Sequence, residues 1–208
     1  MPLPPRTFLT TLIATAIATG DLNPDAQHAY SPTQGGQDTC KPYQKYNKYF
    51  QSASKKYNIN PAILAFLAIQ ESTCNADEGG PTPGLMQCDS GNCQNGKSSC
   101  QYPLQDQVDC GAWVLRSGLD RANGNAVRAL GAYNGWFTAA DQWGYNGGKG
   151  LTLSYPCSDE GKSNGVPQNL DYLHQTLNGW FQGLDIYGKD SHLGGKYNCQ
   201  QNCNDGLC

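Results

Sequence analysis

From Lys41 to Tyr57, apolar side chains return at three- and four-residue steps, at Tyr43, Tyr46, Phe50, Ala53 and Tyr57. That period draws one stripe along an α-helix, with the intervening lysines and amides left for water. The next segment has no polar face. Asn60 supplies a helix N-cap and Pro61 the first helical position. Ile63, Leu64, Phe66, Leu67 and Ile69 follow, so the pattern predicts a buried central helix with Glu71 at its C-terminal end. Residues 73–102 are rich in Gly, Ser, Asn and Cys without a clear period, and predict a long loop or short strands tied by disulfides. Pro103 opens a third helix with Leu104, Val108, Ala112, Leu115 and Leu119 on one face. A fourth helix spans 125–133 with Val127 and Leu130 turned inward. After the glycine-rich, aromatic stretch 134–150, Pro167 starts a last helix carrying Leu170, Leu173, Leu177 and Trp180. The fold class is therefore mainly α, a helical body with an irregular lobe, and the cleft between them suits an extended substrate.

The ends read differently. Arg6 precedes the apolar run 8–18, and the small residues Ala16, Ala18 and Gly20 close it, which is the layout of a secretory signal over residues 1–20. The run is too short and too rich in threonine to span a bilayer comfortably, although an uncleaved anchor is the alternative. Residues 21–39 form a flexible leader, 40–187 the folded domain, and 188–208 a polar tail with three cysteines pinned to the body. The protein is expected outside the cell, as a monomer, with no membrane contact once the signal is removed.

Ten cysteines fit an oxidising compartment. Cys88, Cys93, Cys100 and Cys110 are separated by four, six and nine residues, no Cys-x-x-Cys occurs, and His28, His174 and His192 are scattered, so disulfides rather than a metal are expected. The spacing leaves their connectivity open. A formal charge of −3 argues against a nucleic-acid partner and gives no long-range attraction to anionic walls. No cofactor signature is present, and none is expected.

Glu71 carries the candidate chemistry. A carboxylate at the end of an apolar helix is disfavoured by lost hydration and by the negative end of the helix dipole. Both effects raise its pKa, as a general acid near neutral pH requires. The plainer alternative is that Glu71 marks where the helix surfaces. Its context favours chemistry: Glu71-Ser72 is followed by Gly84-Leu85-Met86-Gln87 and then by Ala132-Tyr133-Asn134-Gly135. In this order the three motifs resemble those of the lytic transglycosylase and goose-type lysozyme superfamily, family 23 of the glycoside hydrolases, over residues 43–181.

The resemblance implies a lysozyme-like α+β fold and a role for each matched residue. Glu71 would protonate the glycosidic oxygen. Ser72 would hydrogen-bond near the acetamido sugar, Gly84 and Met86 would shape the cleft floor, and Gln87 would add polar contacts. Tyr133 and Asn134 would line the opposite wall, and Tyr172, on the last helix, would face the cleft. Independently of the motifs, Tyr133, Trp136, Phe137, Trp143 and Tyr145 crowd one region where rings can stack on sugars; core packing is the alternative for these, as it is for Met86. Asp89 stands where goose-type lysozymes resemble this chain in carrying an aspartate that positions water, with Glu78 or Asp77 as a further acid. A turn residue beside Ser90-Gly91 is the other reading of Asp89. Cys74 and Cys88, if bridged, would stiffen the lobe.

The expectation is a secreted enzyme that cuts the β-1,4 linkage of peptidoglycan in the manner of a muramidase, with Glu71 as acid and Asp89 assisting. The alternatives are a lytic transglycosylase that forms 1,6-anhydro products, a chitinase on N-acetylglucosamine polymers, and a glycan-binding protein without catalysis.

Overall fold

The structure, a computed structural model, describes residues 43–94, 103–135, 157–159, 163, 169–182, 186 and 199. The expected signal, the leader, most of the tail and Trp136, Phe137, Trp143 and Tyr145 lie outside the described residues.

The first helix, α1 (Tyr43–Tyr57), follows its apolar stripe: Tyr46, Phe50 and Ala53 are buried and Tyr57 half-buried. The Asn60 side chain accepts a hydrogen bond from the Ala62 N–H at 2.8 Å and so caps α2 (Pro61–Ser72). This helix is apolar all round because it is covered from two directions. Ile63, Leu64 and Leu67 enter the main core with Phe50, Leu85, Met86, Val108, Leu115 and Leu130. Ala62 and Phe66 meet Trp180 and Ile186 in a second, smaller cluster. Each fully buried Leu, Ile or Phe side chain contributes about 1.5–3 kcal/mol.

The end of α2 is sharp. Thr73 (φ 52°) and Cys74 (φ 60°) are both left-handed, and their N–H groups donate to the Ile69 and Ala68 carbonyls at 2.9 and 3.1 Å. Two consecutive left-handed residues without a glycine are strained. They fold the following lobe back along the helix end that carries Glu71. In that lobe the described residues contain a 3-10 turn at Ser90–Asn92 and no strand. A disulfide between Cys88 and Cys110 joins it to α3 (Leu104–Arg121). Cys74 and Cys93 are also disulfide-bonded, and Cys157 is bridged to Cys199 of the tail.

Helix α3 packs on α1 and on α4 (Ala126–Tyr133). Two sequence expectations are corrected here. Val127 is half-buried, and the residues that turn inward are Ala126, Ala129 and Leu130. The reason is close approach: a Cβ on Gly118 of α3 would lie 3.3 Å from the Ala129 Cα, so small residues form this seam. The last helix, α5 (Tyr172–Asn178), begins later than Pro167 suggests, because residues 169–171 are turn-like and the Asn169 side chain accepts from the Asp171 N–H at 2.9 Å. Its buried face is Tyr172, Gln175 and Thr176, while Leu170, Leu173 and Leu177 are half-buried. Trp180 sits beyond α5 in a 3-10 turn, Trp180–Gln182. Among the described residues, no helix is long and apolar enough to cross a membrane.

Candidate active site

Glu71 lies in the last turn of α2, where unpaired carbonyls make negative charge unwelcome. Part of its side chain reaches solvent, but its carboxyl is enclosed by protein. Burial pushes its pKa from 4.5 up to about 8, and a hydrogen bond from Tyr172 partly opposes that rise. Tyr172 is buried on α5 and donates its hydroxyl proton to Glu71 Oε1 at 2.5 Å. An acid that accepts through Oε1 carries its own proton on Oε2, which leaves Oε2–H free to serve another acceptor. At neutral pH Glu71 is therefore mostly a neutral acid with its orientation set by a phenol.

Tyr133 ends α4 and donates to the Met86 carbonyl at 2.9 Å. Burial, and next the charge of Glu71, push both the Tyr133 and Tyr172 hydroxyls well above the usual phenol range. Both tyrosines therefore stay protonated donors across the working pH range.

The Gly-Leu-Met-Gln segment is held by side chains from three helices. Ser72 Oγ lies 2.7 Å from the Leu85 carbonyl and 3.0 Å from that of Ala68. Gln107 of α3 accepts from the Leu85 N–H at 2.7 Å, and Tyr133 of α4 takes the Met86 carbonyl. Gly84 adopts φ +114°, and a Cβ there would meet Gln107 Oε1 at 2.9 Å, so both conformation and space require glycine. Gln87, also left-handed at φ 43°, closes the turn through N–H and Nε2 bonds to the Gly84 carbonyl at 3.1 and 3.0 Å.

The structure therefore brings Glu71, Ser72, Gly84, Met86, Tyr133 and Tyr172 together, in unequal positions. Ser72 and Met86 are buried at 4% and 0% exposure. The Ser72 hydroxyl is engaged with main-chain carbonyls rather than open to a sugar. Gln87 and Asn134 are half-buried. Asn134 Oδ1 accepts from the Asn169 N–H at 3.1 Å; because that N–H can only donate, the Asn134 amide must present its oxygen to it and its NH2 elsewhere. Asp89 is exposed and its carboxylate accepts from the Gly91 N–H at 2.7 Å, as a residue capping its own turn does. Asp77 and Glu78 are exposed, and Glu78 accepts from Asn75 Nδ2 at 3.0 Å.

Two supporting residues escaped the sequence reading. Gln107 is a buried amide on the core face of α3. Gly111 provides room for the site, since a Cβ there would lie 2.6 Å from Tyr133 Oη and 2.7 Å from Met86 Cε. The available signal was a glycine in the middle of an otherwise regular helical pattern.

A carboxylic acid kept neutral and oriented in this way is chemically suited to proton donation. The transglycosylase SLT domain model matches residues 48–153, and the chain belongs to that family. Membership makes the protein an enzyme of the peptidoglycan lytic transglycosylase type, with peptidoglycan as its substrate. The matched stretch includes Glu71, the 84–87 turn, Tyr133 and Asn134, and ends before Tyr172. No solved structure matches the chain.

Proposed function

We propose that the protein cleaves the β-1,4 bond between N-acetylmuramic acid and N-acetylglucosamine without water, leaving 1,6-anhydro ends. The observation that carries this reading is a Glu71 held neutral by burial and oriented by Tyr172. Glu71 Oε2–H gives its proton to the bridging oxygen as the C1–O bond breaks, and the leaving sugar departs with a free 4-hydroxyl. The acetamido oxygen stabilises the positive charge at C1. The Glu71 carboxylate then takes the proton of the 6-hydroxyl as O6 bonds to C1, which restores the acid and balances the reaction.

This sequence needs one carboxyl group, whereas hydrolysis usually employs two. The two influences on Glu71 are burial and Tyr172, not a neighbouring carboxylate. Asp89, the other candidate, caps a turn. In this reading Asn134 offers its NH2 to the acetamido carbonyl, Gly84, Met86 and Gln87 shape the floor, and Ser72 supports it from below. Trp136 would add a stacking face. Residues 1–20 serve as the secretion signal, 21–39 as leader and 188–208 as a covalently pinned tail on the 40–187 domain, so that the enzyme meets its polymer outside the cell.

Mass spectrometry of purified walls digested with the protein tests the reading. Anhydro-muramoyl ends support it. Reducing muramoyl ends would establish a muramidase and return Asp89 to the role of positioning water. Equal cleavage of chitin oligomers would show that the lactyl group of muramic acid is not required.

A further inference from the structure

Four amide side chains form a continuous hydrogen-bonded chain between α2 and the α5 segment. Trp180 Nε1 donates to Gln70 Oε1 at 2.8 Å, and Gln70 Nε2 donates to Gln175 Oε1 at 2.9 Å. Asn169 Nδ2 donates to that same Gln175 oxygen at 2.9 Å. The Asn169 N–H then reaches Asn134 Oδ1 at 3.1 Å. Gln70 and Gln175 are each 8% exposed and Trp180 6%. The direction of the chain is dictated from both ends. The Trp180 indole N–H and the Asp171 main-chain N–H can only donate, so Gln70 and Asn169 must turn their oxygens to them and their NH2 groups toward Gln175. Gln175 therefore receives two donors on one oxygen.

The chain sits beside the acid. Gln70 precedes Glu71 on α2, and Gln175 follows Tyr172 by three residues on α5, so the two side chains share a helix face. Gln70–Gln175 and Glu71–Tyr172 are thus two rungs between the same pair of helices. Helix α5 has seven residues and no side-chain cap bond. A helix so short does not hold itself in place. Its register against α2 depends on tertiary contacts, and the buried amide rung is the directional one next to the Tyr172 bond. The α5 half of the arrangement lies beyond the stretch that defines the family.

We propose that Gln175, gripped by Gln70 and Asn169, is a positioning residue that holds Tyr172 against Glu71 and so sets the orientation of the catalytic acid. The proposal rests on the reading of Glu71 as the acid. Gln175 touches no substrate; it acts through Tyr172.

The Tyr172 bond lowers the Glu71 pKa, so loss of positioning moves the titration of Glu71 upward, which simple destabilisation does not do. The experiment compares wild type, Gln175→Met, Tyr172→Phe and the double variant, by 13C NMR titration of the Glu71 carboxyl and by kcat and KM on soluble glycan strands. Gln175→Met is expected to raise the Glu71 titration midpoint in the same direction as Tyr172→Phe, and to lower kcat about tenfold with KM within about twofold. In the double variant the midpoint stays where Tyr172→Phe alone puts it, because both act through one bond. Leu119→Ala, a core cavity on α3 away from the amides, leaves the midpoint unmoved. If Gln175→Met folds poorly, Trp180→Phe, which removes the indole donor to Gln70 and trims the ring but leaves Gln175 in place, gives a smaller shift of the same sign. An unmoved midpoint in both variants, or shifts that add in the double variant, overturns the proposal. The NMR titration needs no turnover, so it judges Gln175 even if Glu71→Gln remains active and the functional reading fails.

Discussion

Glu71 favours its protonated form in the folded chain, so its proton uptake is coupled to folding at neutral pH. Its carboxyl titrates near 4.5 when free and at about 8 in the folded protein. Between those values the folded state binds more protons than the unfolded one, so stability falls as pH rises through the window and levels off above about 8. Glutamine keeps the Oε1 acceptor for Tyr172 and carries no charge. Glu71→Gln is therefore expected to match wild type in thermal stability near pH 4 and to exceed it by about 3–6 °C at pH 8, after allowance for the solvent that reaches the side chain. Circular dichroism melts across the range read this out. Turnover of the same variant should fall by at least about a thousandfold. Equal melting curves at every pH would mean that Glu71 is not desolvated, and a variant that still cuts walls would remove it from catalysis. Wild-type kcat/KM, for the same reason, should decline as pH rises through about 8, since the free enzyme then loses its donor proton. An activity that stays flat to well above that value would place the acid elsewhere.

Helices α1, α2 and α3 were legible because burial on them is carried by large apolar residues at helical spacing, from Tyr46 and Phe50 to Val108 and Leu115. The Glu71 end of α2 and the order of the three motifs were legible too. The phase of α5 was not: its leucines recur at helical steps, but the face turned inward is Tyr172, Gln175 and Thr176, whose burial is stabilised by hydrogen bonds that hydropathy does not register. On α4 Leu130 turns inward as its spacing suggests, but its buried companions are Ala126 and Ala129 rather than Val127, because Gly118 admits close approach at Ala129. Glycine in the interior of α3 is likewise spatial. Alanine at position 111 would gain about 1 kcal/mol of helix propensity. The added Cβ would sit 2.6 Å from Tyr133 Oη and 2.9 Å from Met86 Cβ, and Met86 has no exposed side to retreat to. Gly111→Ala is expected to lower stability by a net of about 0–2 kcal/mol in urea unfolding, overpacking of about 1–3 kcal/mol less that gain, and to lower kcat more than it alters KM as Tyr133 leaves the Met86 carbonyl. A stabilised, fully active variant would show that the Tyr133–Met86 contact is loose.

At the scale of the whole molecule, the floor of the site enters the main core through two fully buried side chains, Leu85 and Met86. The lobe contributes Leu85, Met86 and Cys74 to the main core, and the chain around Cys88 packs chiefly on Cys110, Cys93 and Val114. Beside those two buried side chains, its attachment to the helices is covalent and polar: the Cys88–Cys110 disulfide next to Gln87, the Gln107 bond to the Leu85 N–H, and the Ser72 hydroxyl. The bridge closes a loop between positions 22 apart, and the chain-entropy argument assigns such a closure about 3 kcal/mol. Ala at both Cys88 and Cys110 is expected to cost about that much in global unfolding. The larger effect is local, because α2 keeps its cap and both clusters without the bridge while the 84–87 turn loses its covalent tie to α3 and keeps the Gln107 bond. Amide hydrogen exchange should therefore quicken first in residues 84–93 and only slightly in α2. If the 84–87 turn forms the floor of the sugar site as proposed, activity should fall through KM as well as kcat, because that floor moves while Glu71 and Tyr172 stay in place. Uniform loss of protection across α1 to α4 would show instead that the lobe and the helical body unfold as one unit, with Cys88–Cys110 a global staple rather than the anchor of the cleft floor.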